Sequence, residues 1–423
     1  MQQFKSNNTE ITLTRNALLL FLSILPIFFL ILAFIFDTPE NIISGIYNIV
    51  ISPDVLLTDY LKVGGLGASL VNVSIITLIN IFIIYKLKMR ITGSVIAAVL
   101  TLAGFSFLGK SIFNIWPIYL GGLLYAKYHK IQYSNIIALI IFSTCLSPAV
   151  SQMAFHSGLP LYAGIPLGLL VGVVIGFVAT PLASNMSKLH DGFNLYNAGF
   201  TAGILGTVIY SIIKSFGITI ERQLVISNEY DMFFRIVLMV YFVFLIAIGF
   251  ILNNRSFKGY GELMKFSGKM ISDYTQLSGF GLTFINMGIM GFVGMIFVYL
   301  MGGALNGPII GGILTVSGFS AFGKHPKNSI PIMLGVSLCA IISTWDINST
   351  PVIIAGLFGT TLAPIAGHYG IFAGILAGFL HLCIVMNVSV VHGGTNLYNN
   401  GFTGGLVASI LFPLFESFRK KSK

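Results

Sequence analysis

The sequence predicts an all-α integral membrane protein of about ten transmembrane helices, arranged as two inverted five-helix repeats with short broken or re-entrant helices. Three observations predict it. The 423-residue chain is 56% hydrophobic and 9% charged, with a mean hydropathy of +0.91, whereas a soluble domain carries about 25% charged residues. Its apolar residues fall into runs long enough to cross a bilayer. The pattern H-x-G-x-N-L-Y-N-x-G-F-T occurs twice, at 190–201 and 392–403, each time opening an apolar run.

In chain order, 16–36 is a first membrane helix, too long for a signal-peptide core and without a cleavage pattern. Residues 37–62 carry Asp37, Glu40, Asp54 and Asp59 and an amphipathic patch at 42–51 that reads as a surface or re-entrant helix. A span at 67–85 ends in the basic Lys86, Lys88 and Arg90. Runs 93–108 and 112–125 are each short and are split by Gly109-Lys110, a broken pair of the kind that lines cavities. Runs 136–150 and 160–182 follow, then the first motif helix, ending near Ser215.

The second half repeats this order. Thr58-Asp59-Tyr60 matches Ser272-Asp273-Tyr274, Gly104-Phe105-Ser106 matches Gly318-Phe319-Ser320, and Gly109-Lys110 matches Gly323-Lys324, all 214 residues apart. Asn72 and Asn114 match Asn286 and Asn328 in the same register. At the motif the register is 202, so the first half carries extra loop. The organisation is therefore a first repeat over 1–217, a polar linker at 218–230, and a second repeat over 231–423. The loop after the first helix is acidic in half one and basic in half two (Arg255, Lys258, Lys265, Lys269), and the next loop reverses the bias. Equivalent loops then lie on opposite sides, which inverts the repeat and requires an odd number of crossings per half. Five per half puts both termini in the cytoplasm, in keeping with the basic tail 419–423, and the bacterial cytoplasmic membrane is the expected location.

The net charge of +10 sits in short loops and termini, a positive-inside distribution that argues against nucleic acid as a partner. Cys145, Cys339 and Cys383 lie in apolar runs with no metal or disulfide spacing. No cofactor or metal is expected. A P-loop and an H-E-x-x-H motif are absent, and no Ser/His/Asp grouping stands out.

The candidate pathway residues are those whose polarity is costly in hydrocarbon. Asn194, Tyr196 and Asn197, with Asn396, Tyr398 and Asn399, either line a solute route or cap helices and bond across the repeats. Asparagines at i and i+3 would share one helix face. Lys110 and Lys324 either attract an anion or snorkel to headgroups. Ser106 and Ser320 add hydroxyls, and Asn72 and Asn286 lie within spans. His190 and His392 occupy matching positions and either relay protons or cap. Asp191 has Gly393 as its counterpart, so its role is not symmetric. The thirteen acids can all be placed near loops or helix ends. Coupled carriers normally need an intramembrane carboxylate, so this placement favours a channel or facilitator.

At G-F-S-x-x-G-K, N-x-x-P-I and N-L-Y-N-x-G-F-T the chain resembles a bacterial polytopic family of unknown function, over nearly its whole length. At fold level it is similar to urea transporters. That likeness implies five-plus-five inverted repeats, half-membrane helices and a Tyr-Asn helix start, here Tyr196-Asn197 and Tyr398-Asn399. The L-P-x-x-T-x-P-F signature of that family is absent. The expected function is a channel or facilitative transporter for a small neutral or anionic solute, with the pathway at the repeat interface. An ion-coupled secondary transporter is the alternative. An intramembrane enzyme or a lipid-handling protein stands further off. The bilayer and a small polar solute are the expected partners, and homo-oligomerisation is compatible with the sequence.

Overall fold

A computed structural model describes residues 13–221 and 224–418. The basic tail 419–423, Lys5, Glu10 and Arg222 of the linker lie outside the described residues. The first half contains α1 (Arg15–Phe36), α2 (Pro39–Ile51), α3 (Tyr60–Val63), α4 (Gly65–Lys86), α5 (Gly93–Phe105), α6 (Trp116–Tyr128), α7 (Ile137–Ser143), α8 (Ser147–Phe155), α9 (Leu161–Leu189) and α10 (Asn197–Ser215). The second contains α11 (Asp231–Leu252), α12 (Tyr260–Leu263), α13 (Tyr274–Leu277), α14 (Gly279–Leu300), α15 (Gly307–Phe319), α16 (Pro326–Ile342), α17 (Thr350–Gly359), α18 (Ala363–Tyr369), α19 (Ile371–Val388) and α20 (Asn399–Phe418). Short 3₁₀ segments and isolated β-bridges accompany them among the described residues.

Among the described residues, ten helical stretches are long and apolar enough to cross a membrane, counting α7–α8 and α17–α18 as one each. In α1, α9, α11 and α19 the apolar side chains face outward, for example Leu20, Phe34, Leu170, Val240 and Phe372. With no water to satisfy, such faces suit lipid, and the chain is an integral membrane protein. The α4, α14, α7–α8 and α17–α18 stretches are mostly buried inside it. The amphipathic patch forms helix α2, and the predicted break between the two short runs falls between α5 and α6. The extra length of the first half lies mainly in α9, which at 29 residues outruns the 18 of α19, and less in loop.

At the centre α5 and α15 pack against each other. Glycine makes this approach feasible: a Cβ on Gly104 would stand 2.7 Å from the Gly311 carbonyl, and one on Gly318 would stand 2.9 Å from the Leu100 Cβ. The helix starts are held reciprocally. The Asp273 carboxylate accepts from the Gly93 amide at 3.1 Å, and the Asp59 carboxylate accepts from the Gly307 amide at 3.2 Å. Each half thus supplies the anion for the positive end of the other half's short helix. The Asp59 carboxylate also takes the amides of Leu61 and Ser227, and so ties down the inter-half linker. Asp273→Ala and Asp59→Ala should each lower stability by about 1–2 kcal/mol. The unfolding midpoints of the two detergent-purified variants should fall together, because the contacts are equivalent.

Two further stretches depart from regular helix at matching places. The Thr144–Leu146 turn between α7 and α8 matches Thr360–Leu362 between α17 and α18, and both are 3₁₀. Backbone carbonyls freed at such breaks need donors when buried. The donors come from the two motifs: the Leu397 amide reaches Cys145 O and the Leu195 amide reaches Thr361 O, each at 3.0 Å.

Candidate functional site: two buried lysines at the crossing of the motifs

The two motif segments meet near Gly199 and Gly401. A Cβ on either glycine would stand 3.0 Å from the other's Cα. The crossing is tied by Asn194 Nδ2 donating to Gly401 O at 3.2 Å and Asn396 Nδ2 donating to Gly199 O at 3.4 Å. The side-chain oxygens accept locally, Asn194 Oδ1 from the Tyr196 amide at 3.2 Å and Asn396 Oδ1 from the Tyr398 amide at 3.0 Å, and Asn194 Oδ1 also accepts from Thr361 Oγ1 of the other half at 2.6 Å. The helices begin only at Asn197 and Asn399, so Asn194 and Asn396 precede them. The expectation of a shared i, i+3 face is corrected on this point. Tyr196 sits at the helix start with ψ +52°, which breaks the helical phase between the two asparagines.

Asn197 and Asn399 have settled partners as well. The Oδ1 of each accepts from a histidine Nε2 at 2.9 Å, His190 and His392 respectively. Their amides donate to Ala183 O at 3.0 Å and Val385 O at 3.2 Å. Both histidines are fully buried. Burial holds His190, which lies in the connection between α9 and α10, below the ordinary imidazole range. Asp191 stands apart at the surface, paired with Lys269 at 2.7 Å.

Asn72 and Asn286 hold the breaks open. Asn72 Nδ2 donates to Ser106 O at 2.8 Å and Lys110 O at 2.9 Å; Asn286 Nδ2 donates to Ser320 O and Lys324 O, both at 2.7 Å. The hydroxyls of Ser106 and Ser320 bond back to Leu102 O and Val316 O within their own helices.

What these asparagines hold in place is a pair of lysines. Lys110 and Lys324 are fully buried, and neither has a carboxylate at ion-pair distance among the described residues. Each ammonium faces an aromatic ring from its own half and a motif tyrosine from the other. Lys324 Nζ lies 5.3 Å from the Phe319 ring centre and 4.4 Å from that of Tyr196; Lys110 Nζ lies 5.4 Å from Phe105 and 5.7 Å from Tyr398. The two are not equally satisfied. Lys324 Nζ donates to the Tyr196 hydroxyl and to Thr360 Oγ1 at 2.7 Å, whereas Lys110 Nζ has no hydrogen-bond partner among the described residues. A buried cation without a counter-charge costs several kcal/mol, so the centre favours an incoming anion or a neutral acceptor.

A cavity of about 180 Å³ adjoins this centre; Tyr196, Tyr398 and Phe319 line it together with Ser94, Ala138 and Phe142, and neither lysine does. The lining is uneven between the halves. Ser94, Ala138, Phe142, Asn197 and Ala198 are half-buried, while their repeat counterparts Pro308, Ile354, Phe358, Asn399 and Asn400 are buried.

One functional group was hidden from sequence reasoning. Asp54 lies in the loop where its place in the sequence puts it, and is nevertheless fully buried. Its carboxylate accepts from Tyr60 Oη at 2.6 Å, Ser151 Oγ at 2.6 Å and Asn114 Nδ2 at 2.9 Å. It lies in the connection between α2 and α3, outside the ten spans. Burial pushes its carboxyl up to about 8, with the three donors pulling the other way. The signal that marks it is positional. Its repeat counterpart is Gly268, and both adopt positive φ, 59° and 77°. An aspartate is thus retained where the backbone favours glycine.

The family model described as a protein of unknown function, DUF1576, matches residues 38–215 and again 252–417. No curated protein and no solved structure matches the chain, and the likeness to urea transporters gains no support from these comparisons.

Proposed function

Since the chain belongs to the DUF1576 family of proteins of unknown function, we propose from its centre that it is a facilitative transporter for a small anionic solute, with a neutral polar solute as the second choice. The observation that carries this reading is the pair of buried lysines without carboxylate partners among the described residues, each against a motif tyrosine whose ring also lines the cavity. The two halves form an inverted repeat: Asp59 with Gly307 mirrors Asp273 with Gly93, and Asn194 with Gly401 mirrors Asn396 with Gly199. Both termini lie in the cytoplasm and the membrane is a bacterial cytoplasmic one, in line with the charge bias of the loops.

Unequal burial of equivalent positions favours a carrier over an open pore. Five positions that line the cavity are half-buried, while their repeat mates are buried. Exchange of the two arrangements would present the lysines alternately to each face. Asn194, Asn197, Asn396 and Asn399 act in this reading as the fixed frame, and Tyr196, Tyr398, Lys110 and Lys324 make the contact with solute.

The test is flux in proteoliposomes loaded with nitrate, sulfate, lactate or succinate, with urea and glycerol as neutral comparators. Saturable exchange of one anion supports the reading. Flux of the neutral solutes alone removes the anion assignment, and no flux of any removes transport of this panel. A companion measurement uses a background lacking Cys145, Cys339 and Cys383. Ala138→Cys should react with a water-soluble maleimide and Ile354→Cys should not; equal labelling would count against the one-sided cavity.

A further inference from the structure

We propose that Asp54 is a proton-binding site that controls the broken segment carrying Lys110, so that proton binding is coupled to movement at the centre. Asp54 ties that segment to α3 and α8. Its Oδ2 receives Ser151 Oγ at 2.6 Å and Asn114 Nδ2 at 2.9 Å, and the same Asn114 amide donates to Gly109 O at 3.0 Å and Ser151 Oγ at 3.0 Å. Asn114 Oδ1 accepts from the Ser111 amide at 2.9 Å. Asp54 therefore grips, through one side chain, the turn that sets the position of Lys110.

The consequence of protonation follows from donor counting. An ionised Oδ2 accepts from both Ser151 and Asn114. A protonated Oδ2 carries its own hydrogen, so one donor must reverse or leave. The serine hydroxyl can rotate and accept. That reversal satisfies the count, but the asparagine amide, which can only donate, is left facing the oxygen of a neutral carboxyl, a weaker acceptor than a carboxylate, so its link to Asp54 weakens. Tyr60 keeps donating to Oδ1 at 2.6 Å. Rising pH thus tightens the grip on the broken segment, and falling pH loosens it.

The second half has no such control. Asn328 donates instead to the backbone carbonyls of Gly323 at 2.9 Å and Ser267 at 3.4 Å, which do not titrate, and Gly268 stands where Asp54 does. This carboxylate control is confined to one side of the centre; the titratable group of the equivalent segment is His325, whose Nδ1 accepts from the Asn328 amide at 3.3 Å. The titratable groups around Asp54 are otherwise engaged. Tyr60 on α3 donates to it. His156 at the end of α8 bonds to Ile51 O at 2.8 Å. The Asp59 carboxylate takes the amides of Leu61, Ser227 and Gly307. The Lys110 ammonium is turned to the rings of Phe105 and Tyr398. The elevated carboxyl range noted above agrees with exchange near neutral pH.

The proposal deepens the transport reading, but its readouts need no solute, so its failure would leave anion flux untouched. The chain has two tryptophans. In a Trp345→Phe background, Trp116, which follows Asn114 at the start of α6, reports on the broken segment. The reconstituted protein is titrated by infrared spectroscopy and by Trp116 emission. A protonated-carboxyl C=O band should bleach well above the ordinary carboxylate range, with the Trp116 emission shifting at the same midpoint, and Asp54→Asn should abolish both. Ser151→Ala removes one donor to the carboxylate and should raise the midpoint, which decides the matter if Asp54→Asn fails to fold. Identical spectra for parent and Asp54→Asn, a midpoint unmoved by Ser151→Ala, or a titrating band with a silent Trp116 would each overturn the proposal.

Discussion

Lys110→Met is expected to reduce anion flux about 10- to 100-fold, the equivalent of one charge-assisted hydrogen bond worth about 1.5–3 kcal/mol, while leaving the protein at least as stable as its parent. The two effects have opposite signs for one reason. Lys110 Nζ is buried without a hydrogen-bond partner or a carboxylate among the described residues. Methionine keeps an apolar stem among Phe105 and Tyr398 and removes an uncompensated charge, a change that is often neutral or stabilising. The same ammonium is the group with spare capacity for a solute. Lys324→Met should differ, because it would strip the Tyr196 hydroxyl and Thr360 Oγ1 of their shared donor. Its unfolding midpoint should fall along with flux. Flux in proteoliposomes and unfolding in detergent, measured on both variants, check this. If Lys110→Met transports as the parent does, the lysine has no part in solute binding.

Gly199→Val is expected to be the most disruptive small substitution at the centre. A Cβ there would stand 2.8 Å from the Tyr398 Cβ and 3.0 Å from the Gly401 Cα. Neither atom is the end of a flexible chain, so the motif helices must part. Overpacking of this kind costs about 1–3 kcal/mol. Separation also stretches the Asn194 and Asn396 links to the opposing carbonyls, already 3.2 and 3.4 Å, and shifts the tyrosine ring away from Lys110. The expected result is a lower unfolding midpoint and loss of flux together. Gly401→Ala meets equivalent neighbours, the Gly199 Cα and Tyr196 Cβ at 3.0 Å, and should behave alike. At Gly261 nothing lies within 4 Å of an added Cβ, so Gly261→Ala is the control that should change neither. A Gly199→Val protein with an unchanged midpoint would mean that the motif helices do not cross as tightly as described.

The elements were legible because hydrophobic length and helix breaks are local properties. The span Arg15–Phe36, the short helices Gly93–Phe105 and Gly307–Phe319, and the motif helix ending at Ser215 all fall close to where apolar runs and Gly-Lys breaks put them. The candidate site was partly legible. Lys110, Lys324, Tyr196 and Tyr398 could be singled out because a polar group in an apolar run is conspicuous. Their grouping could not be read, because each lysine meets a tyrosine of the other half, and no local pattern encodes that pairing. The asparagines were equally conspicuous. Whether they face a pathway or bond to backbone depends on which carbonyls the breaks leave unpaired, and that is decided only when α5, α15 and the two motifs come together.

Asp54 marks the boundary between the two kinds of information. Composition placed it in an acidic loop, where a carboxylate is ordinarily solvated. Burial is a property of what packs over the loop, here α3, α8 and the broken segment. The sequence by itself determined that this is an all-helical membrane chain with a doubled pattern, because transfer of apolar residues and the period of the repeat are written along the chain. Tertiary structure decided which polar groups are frame and which are free, because hydrogen-bond capacity in a low-dielectric interior is allotted by contacts between distant residues.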